Sequence, residues 1–254
     1  MITNNKAAIK KDVTELVLFR NSYLFFISFF VMTLWAFWSS YYNKLSGNHP
    51  FIIHFHGIAM TLWCLMLISQ ALLIRFNRFR IHSISGKLSF ALVPAIFIAG
   101  FSIAHYTIKD IDPVYNYYYY LVALMFNAVI AFTLIYGLAI YYRKNPAMHA
   151  RFMISTVFPL FTPVTDRIIY KNFDFLVRLA PTLNGVPMVP VFGFLAADLI
   201  LIVMVVWDWF SNKRVGAFLI ALLIVLVYQV SVLTFYEFSF WKSFGDWIMG
   251  IPLS

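Results

Sequence analysis

The chain has 254 residues, of which 62% are hydrophobic and only 11% are charged, and its formal net charge is +9. A water-soluble domain carries about 25% charged residues, so this composition excludes an ordinary soluble protein and indicates an integral membrane protein. The single cysteine, Cys64, excludes a disulfide framework.

Seven apolar stretches are long enough to cross a bilayer, because about 20 helical residues span the roughly 30 Å of hydrocarbon. Backbone polar groups must be paired within each segment in lipid, so these stretches are predicted helices. We therefore expect an all-α protein, a polytopic seven-helix transmembrane bundle that forms a single domain over residues 1–254. The predicted spans are about 22–42, 53–75, 88–106, 117–142, 152–170, 187–210 and 215–235.

The fifth span is the weakest of the seven, because Pro159, Pro163, Asp166 and Arg167 interrupt it. If it did not cross, the count would be six and the C-terminus would lie on the other side. The polar, basic segment before the first span has no small-residue cleavage site, so we do not expect a removable signal peptide.

Basic residues fall mainly on one side of the seven-span arrangement. The positive-inside rule therefore predicts a cytoplasmic N-terminus and an outer C-terminus in a bacterial cytoplasmic (inner) membrane. Attraction to anionic lipid headgroups accounts for the charge, so the expected partners are the bilayer and these headgroups rather than nucleic acid; protein partners are not indicated. The 13 of 19 basic residues on this side are Lys6, Lys10, Lys11, Arg20, Arg75, Arg78, Arg80, Lys87, Arg143, Lys144, Arg151, Lys213 and Arg214.

His56, Trp63 and Gln70 recur every seven residues along the second span. Seven residues return a helix to within about 20° of its starting direction, so the three side chains form one stripe. Two explanations are open: the stripe packs on neighbouring helices through interhelical hydrogen bonds, or it lines a cofactor site.

Ionisable residues at membrane depth are costly, about 2.5–3.5 kcal/mol for an Asp at a helix centre, and are therefore candidates for function. His56, His105, Asp166 and Asp198 are predicted to lie in the outer half of the bundle. Two imidazoles and two carboxylates suit zinc or non-haem iron. The alternative is an ion pair between Arg167 and either aspartate, which would neutralise the charges in lipid.

His82 and His149 occupy matching positions at the cytoplasmic start of two helices that run in the same direction. Two such imidazoles could ligate one haem b from opposite faces. Set among basic loop residues, they could instead bind lipid phosphate, or each could simply anchor its helix at the interface.

Two short patterns carry a resemblance to known proteins. The order His-Gly, Trp, Gln, basic loop, His and Gly over residues 56–86, with Asn-Pro-Ala-Met-His-Ala-Arg over 145–151, resembles a widespread group of uncharacterised bacterial membrane proteins. The resemblance covers about residues 50–167 and implies class and topology only.

The positions of His56, His82 and His149 also resemble those of two-haem, ascorbate-reducible b-type membrane cytochromes. That resemblance implies haem ligation by His82 with His149. The fourth span has no histidine where the outer haem's partner would be expected, so His105 would have to take that place.

The leading functional expectation is therefore transmembrane electron transfer through a b-type haem. One alternative is a metal-dependent membrane hydrolase that uses His56, His105, Asp166 and Asp198 to activate water. Another is a non-catalytic transporter or assembly factor, in which the same polar residues line a path for a proton or a small solute.

Overall fold

The computed structural model describes residues 2–213 and 216–251, and for residues 2–19 and 212 it describes the backbone alone. The predicted basic side chains of Lys6, Lys10, Lys11 and Arg214 therefore lie outside the described part. The helices are α1 (Ile2–Phe37), α2 (Phe51–Arg75), α3 (Phe79–Ser85), α4 (Ser89–Ile108), α5 (Asn116–Tyr141), α6 (Pro146–Ser155), α7 (Phe161–Asn172), α8 (Asp174–Leu179), α9 (Pro190–Asn212), α10 (Ala217–Thr234) and α11 (Ser239–Met249).

A small antiparallel hairpin, β1 (Thr182–Leu183) and β2 (Val186–Pro187), connects α8 to α9. Gly185 lies in its turn with φ +80°, a backbone conformation that glycine adopts without steric cost. The hairpin contributes no strand to a larger sheet among the described residues, so the fold is α-helical, as predicted.

Within the described residues, six helical segments are long and apolar enough to cross a membrane, which confirms a multi-pass membrane protein. The predicted first span, 22–42, falls on α1, which ends at Phe37 and is not among the six. The seven-span count therefore stays a prediction. The six segments are Phe51–Arg75, Phe79–Ile108, Asn116–Tyr141, Pro146–Asn172, Pro190–Ser211 and Ala217–Glu237.

The predicted fifth span is present but broken. Its helix stops at Ser155, passes through a 3₁₀ turn at Phe158–Leu160 and resumes at Phe161. Pro159 lies in that turn and cannot donate a backbone hydrogen bond, which explains the break. This segment is also the most enclosed of the six, so most of its residues face protein rather than lipid.

The long helices pack into a closed ring. Going round it, α1 packs on α2, α2 on α4, α4 on α5, α5 on α10, α10 on α9, α9 on α7, and α7 back on α1. Helix α6 packs against α5 and α10. A ring of this kind buries the side chains that point inward, so inward polar residues meet one another rather than lipid.

The ring has two ends, the His82 end and the Tyr117 end. At the His82 end, Arg75 Nη1 donates to Arg20 O at 3.2 Å and to Asn21 Oδ1 at 3.1 Å. At the Tyr117 end, Lys171 Nζ donates to Ala36 O at 2.8 Å. These contacts place the start of the predicted first span at the His82 end and its finish at the Tyr117 end.

The amphipathic helix α11 packs against α5 at the Tyr117 end. Trp241 is buried, and its Nε1 donates to Tyr119 O at 3.1 Å, while Tyr119 OH donates to Asp246 Oδ1 at 3.0 Å. Tyr118, Tyr119 and Tyr120 are consequently buried. This part of the tyrosine run packs against protein, although such runs are typical of exposed interfacial anchors.

Candidate functional site

A cavity of about 520 Å³ opens between the helices of the ring, a volume within the range of small-molecule sites. Its lining comes from α1 and the segment that follows it, from α2, α4, α5, α7 and α10, and from the turn at Phe158–Leu160. The lining near the middle of the bundle is apolar and includes Phe29, Ile96 and Phe132. Polar lining residues gather toward the Tyr117 end, so the cavity has one polar and one apolar half.

His56 and Arg167 share the polar half of this cavity and interact electrostatically. His56 Nδ1 is buried without a hydrogen-bond partner among the described residues. Arg167 Nη1 donates to Pro163 O at 3.0 Å, and its guanidinium lies 4.5 Å from the centroid of the Phe37 ring. The cavity therefore holds a permanent cation beside an imidazole.

Asp166 also lines the cavity, but its side chain leaves α7 in another direction, since consecutive helical residues diverge by about 100°. Its carboxyl lies within electrostatic reach of the phenols of Tyr120 and Tyr228. In the described part of the chain, Arg167 forms no salt bridge with Asp166 or Asp198. The expected ion pair is therefore corrected in part: Arg167 and Asp166 interact electrostatically, but the direct contacts of Arg167 are a backbone carbonyl and an aromatic ring.

Trp63 is not part of the cavity lining; it lies in the packed core and is fully buried. Its ring meets Phe132 edge-on with centroids 5.2 Å apart and Tyr136 with centroids 5.8 Å apart. Trp63 Nε1 has no hydrogen-bond partner in the described structure. Tyr136 in turn shares a 2.8 Å hydrogen bond with Ser89 Oγ, so the aromatic contacts extend toward the His82 end.

Gln70 marks the last position of the predicted stripe and contacts the next element of the chain. Its Nε2 donates to Ser85 Oγ at 2.7 Å, and its Oε1 is buried without a partner among the described groups. A Cβ at Gly86 would lie 3.4 Å from that oxygen. The predicted stripe thus faces inward along its length. Its three side chains have different surroundings: His56 lines the cavity, Trp63 lies in the core and Gln70 contacts helix α3.

The structure brings His82 and His149 together at the other end of the bundle, as the matching positions predict. Their ring centroids are 6.4 Å apart and their planes are inclined by 77°. His149 Nδ1 lies 2.8 Å from Ala139 O, one of the carbonyls left free at the end of α5. His82 Nδ1 is buried and has no partner within the described part of the chain.

No family model matches the chain, and no curated protein or solved structure is significantly similar to it. Function is therefore inferred from the geometry of the cavity and of the His82–His149 pair. Both contain residues that the sequence singles out, and each contains buried polar atoms without a described partner.

The four predicted metal ligands do not converge. His105 Nε2 lies 3.0 Å from Met249 O, and Asp198 Oδ1 accepts from Gln229 Nε2 at 2.9 Å, so both residues are held by neighbouring helices outside the cavity lining. Of the set, His56 and Asp166 alone line the cavity. Within the described ranges, no three His, Cys, Asp or Glu side chains form a group able to hold a metal ion.

The sequence interpretation missed a buried ion pair near the His82 end. Arg151 Nη2 and Nε donate to the two carboxylate oxygens of Asp208 at 2.6 and 2.9 Å, and both side chains are almost fully buried. Arg151 Nη1 also donates to Ala147 O at 2.9 Å. An Asp within an apolar helix was the available signal, but Asp208 lies between Trp207 and Trp209, which are typical of interfacial anchors.

Proposed function

We propose that this integral membrane protein is an electron carrier that holds one b-type haem between His82 and His149. The observation that carries the proposal is the 6.4 Å separation of the two ring centroids. A ligating imidazole nitrogen lies about 2 Å from its metal, so two imidazoles on opposite sides of one iron have ring centroids about 6 Å apart. The observed separation of the two rings therefore fits the ligation of one iron by both imidazoles.

The hydrogen bond of His149 supports the same role. A carbonyl oxygen only accepts, so the bond to Ala139 O places the proton of the neutral imidazole on Nδ1 and leaves the Nε2 lone pair for a ligand. A backbone acceptor of this kind orients a metal-binding histidine and raises its basicity. The buried, unpartnered Nδ1 of His82 is a second ring nitrogen that a bound group could satisfy, as far as the described residues go.

Haem b, when bound, supplies a one-electron redox centre. The chain supplies a set of packed aromatic rings that extends from the His82 end toward the cavity: Tyr136, Trp63 and Phe132. Phe132 lines the inner half of the cavity. These contacts favour electron transfer along the bundle over a role confined to one surface.

Haem binding is tested by expressing the protein with ample haem and purifying it in detergent. We expect a Soret band that shifts on reduction with dithionite. His82→Ala and His149→Ala should each lose bound haem, by more than the roughly 10–100-fold affinity loss typical of removing a partner that only orients a ligand.

His49→Ala is the matched control, because His49 lies in the loop at the Tyr117 end and should leave the spectrum unchanged. A colourless wild-type protein, or a spectrum that survives both ligand substitutions, would contradict the haem proposal.

We further propose seven spans in a bacterial inner membrane, with the N-terminus and the His82 end in the cytoplasm. The support is the positive-inside rule, together with exposed cations at that end that suit anionic lipid headgroups. These residues are Arg78, Arg80, Lys87, Arg143 and Lys144.

Cysteine labelling of intact cells tests this orientation. The native Cys64 is buried, so background labelling should be low. A membrane-impermeant maleimide should label Lys109→Cys, which is exposed at the Tyr117 end, and should not label Arg80→Cys until the cells are opened. The reverse pattern would place the His82 end outside the cell.

A further inference from the structure

The cavity contains a cation, Arg167, that forms no salt bridge with a carboxylate of the described chain, although the carboxyl of Asp166 lies within electrostatic reach of it. Arginine stays charged under all ordinary conditions, and the side chain of Arg167 is exposed, so an incoming anion can reach it. Arg167 Nη1 donates to the carbonyl of Pro163, and the guanidinium faces the Phe37 ring. A guanidinium presents five donors in a planar fork that suits a carboxylate, so donor capacity remains for an anion.

His56 adds a second polar contact at the same place. It lines the cavity within electrostatic reach of Arg167, and its Nδ1 is buried without a described partner. Buried ring nitrogens are normally hydrogen-bonded. A small anionic group lying between the guanidinium and the imidazole would satisfy both residues.

The rest of the cavity suits a hydrocarbon chain. From Arg167 the lining continues toward the middle of the bundle through Thr33 and Cys64 to Ile96 and Phe132, and these four inner residues are all almost fully buried. At the opposite, polar end, Ser40, Thr107 and Arg167 itself are exposed, so the polar end is the mouth.

We propose that this cavity binds a single-chain amphipathic carboxylate, such as a medium-chain fatty acid. The carboxylate lies on Arg167 and His56, and the chain extends inward toward Phe132. The volume of about 520 Å³ is in the range that holds one small ligand, which favours a single chain over a two-chain phospholipid. The proposal does not depend on haem binding at the opposite end.

Binding of radiolabelled decanoate to the full chain in phosphatidylcholine nanodiscs tests this proposal, with empty nanodiscs as the baseline. We expect saturable binding of one decanoate per protein. Arg167→Gln should weaken it about tenfold or more, because hydrogen bonds to charged groups are the strong ones. Arg178→Gln is the matched control, since Arg178 is exposed and does not line the cavity.

A second ligand and a second variant distinguish the polar part of the site from its apolar part. Decanol has the same chain without the charge, and it should bind more weakly and show no dependence on Arg167. Ala128→Phe places a ring into the apolar half, since Ala128 lines the cavity, and it should reduce decanoate binding with the thermal unfolding profile unchanged.

The proposal is overturned if decanol binds as tightly as decanoate, or if Arg167→Gln and Ala128→Phe both bind decanoate as the wild type does. Displacement of decanoate by phosphatidylglycerol in the disc would overturn the single-chain assignment in favour of a lipid headgroup.

Discussion

Replacing Asp208 with alanine should lower the free energy of unfolding by about 3–5 kcal/mol. The substitution leaves the guanidinium of Arg151 buried without the carboxylate that now accepts two of its hydrogen bonds. Such a charge cannot reach water, because Arg151 is fully buried and the centroid of the Phe218 ring lies 5.9 Å from its guanidinium carbon. Unfolding with sodium dodecyl sulfate in mixed micelles, followed by circular dichroism, measures the loss.

Two companion variants show whether the unpaired charge of Arg151 causes the loss of stability. Asp174→Ala removes an exposed aspartate and should change stability by no more than about 0.5 kcal/mol. The double variant Arg151→Met/Asp208→Leu removes both charges, and it should recover most of the stability because an apolar pair can replace a buried ion pair. If Asp208→Ala lowers the free energy of unfolding no more than Asp174→Ala does, the Arg151–Asp208 ion pair does not hold α6 to α9.

Replacing Trp63 with alanine should cost about 3 kcal/mol, the lower end of the range for removing a buried aromatic side chain. The lower end applies because lipid is itself apolar, so the loss comes mainly from packing rather than from transfer out of water. The ring is fully buried and meets Phe132 and Tyr136 edge-on. The same mixed-micelle unfolding assay measures the effect.

Trp63→Phe distinguishes packing from chemistry at this position. It keeps an aromatic ring and removes an indole N–H that has no described partner, so it should cost less than about 1.5 kcal/mol. Trp35→Ala is the matched control, because Trp35 is half exposed on α1 and lipid can replace its contacts. A stability change as large for Trp35→Ala as for Trp63→Ala would contradict the assignment of Trp63 to the core.

The sequence predicted the helices well because their signal is local. A stretch of apolar residues long enough for the bilayer must be helical in lipid, and six predicted spans coincide with six long apolar helices. The matching positions of His82 and His149 at the start of two parallel helices were also predictable, and the structure added that the two rings are neighbours. The prediction of matching positions required no knowledge of which helices are neighbours beyond the loops that connect them.

The polar contacts between distant helices were not predictable in the same way. Asp198 binds Gln229, His105 binds Met249, and Asp208 binds Arg151. In each case the partner is set by which helices are adjacent in the ring and by the rotation of each helix about its axis. Hydropathy reports neither quantity, so a search for metal ligands among the isolated polar residues grouped side chains that the packing separates.

The amino-acid sequence by itself therefore determined that this protein lies in a lipid bilayer and that it is α-helical, because each of these follows from the composition of one segment at a time. The tertiary structure alone decided where a cavity opens. It also decided that Arg167 lines this cavity without a salt bridge among the described residues, and that Arg151 forms a salt bridge with Asp208. The physical reason is that pairing and enclosure are properties of several helices together, and they depend on how the ring closes.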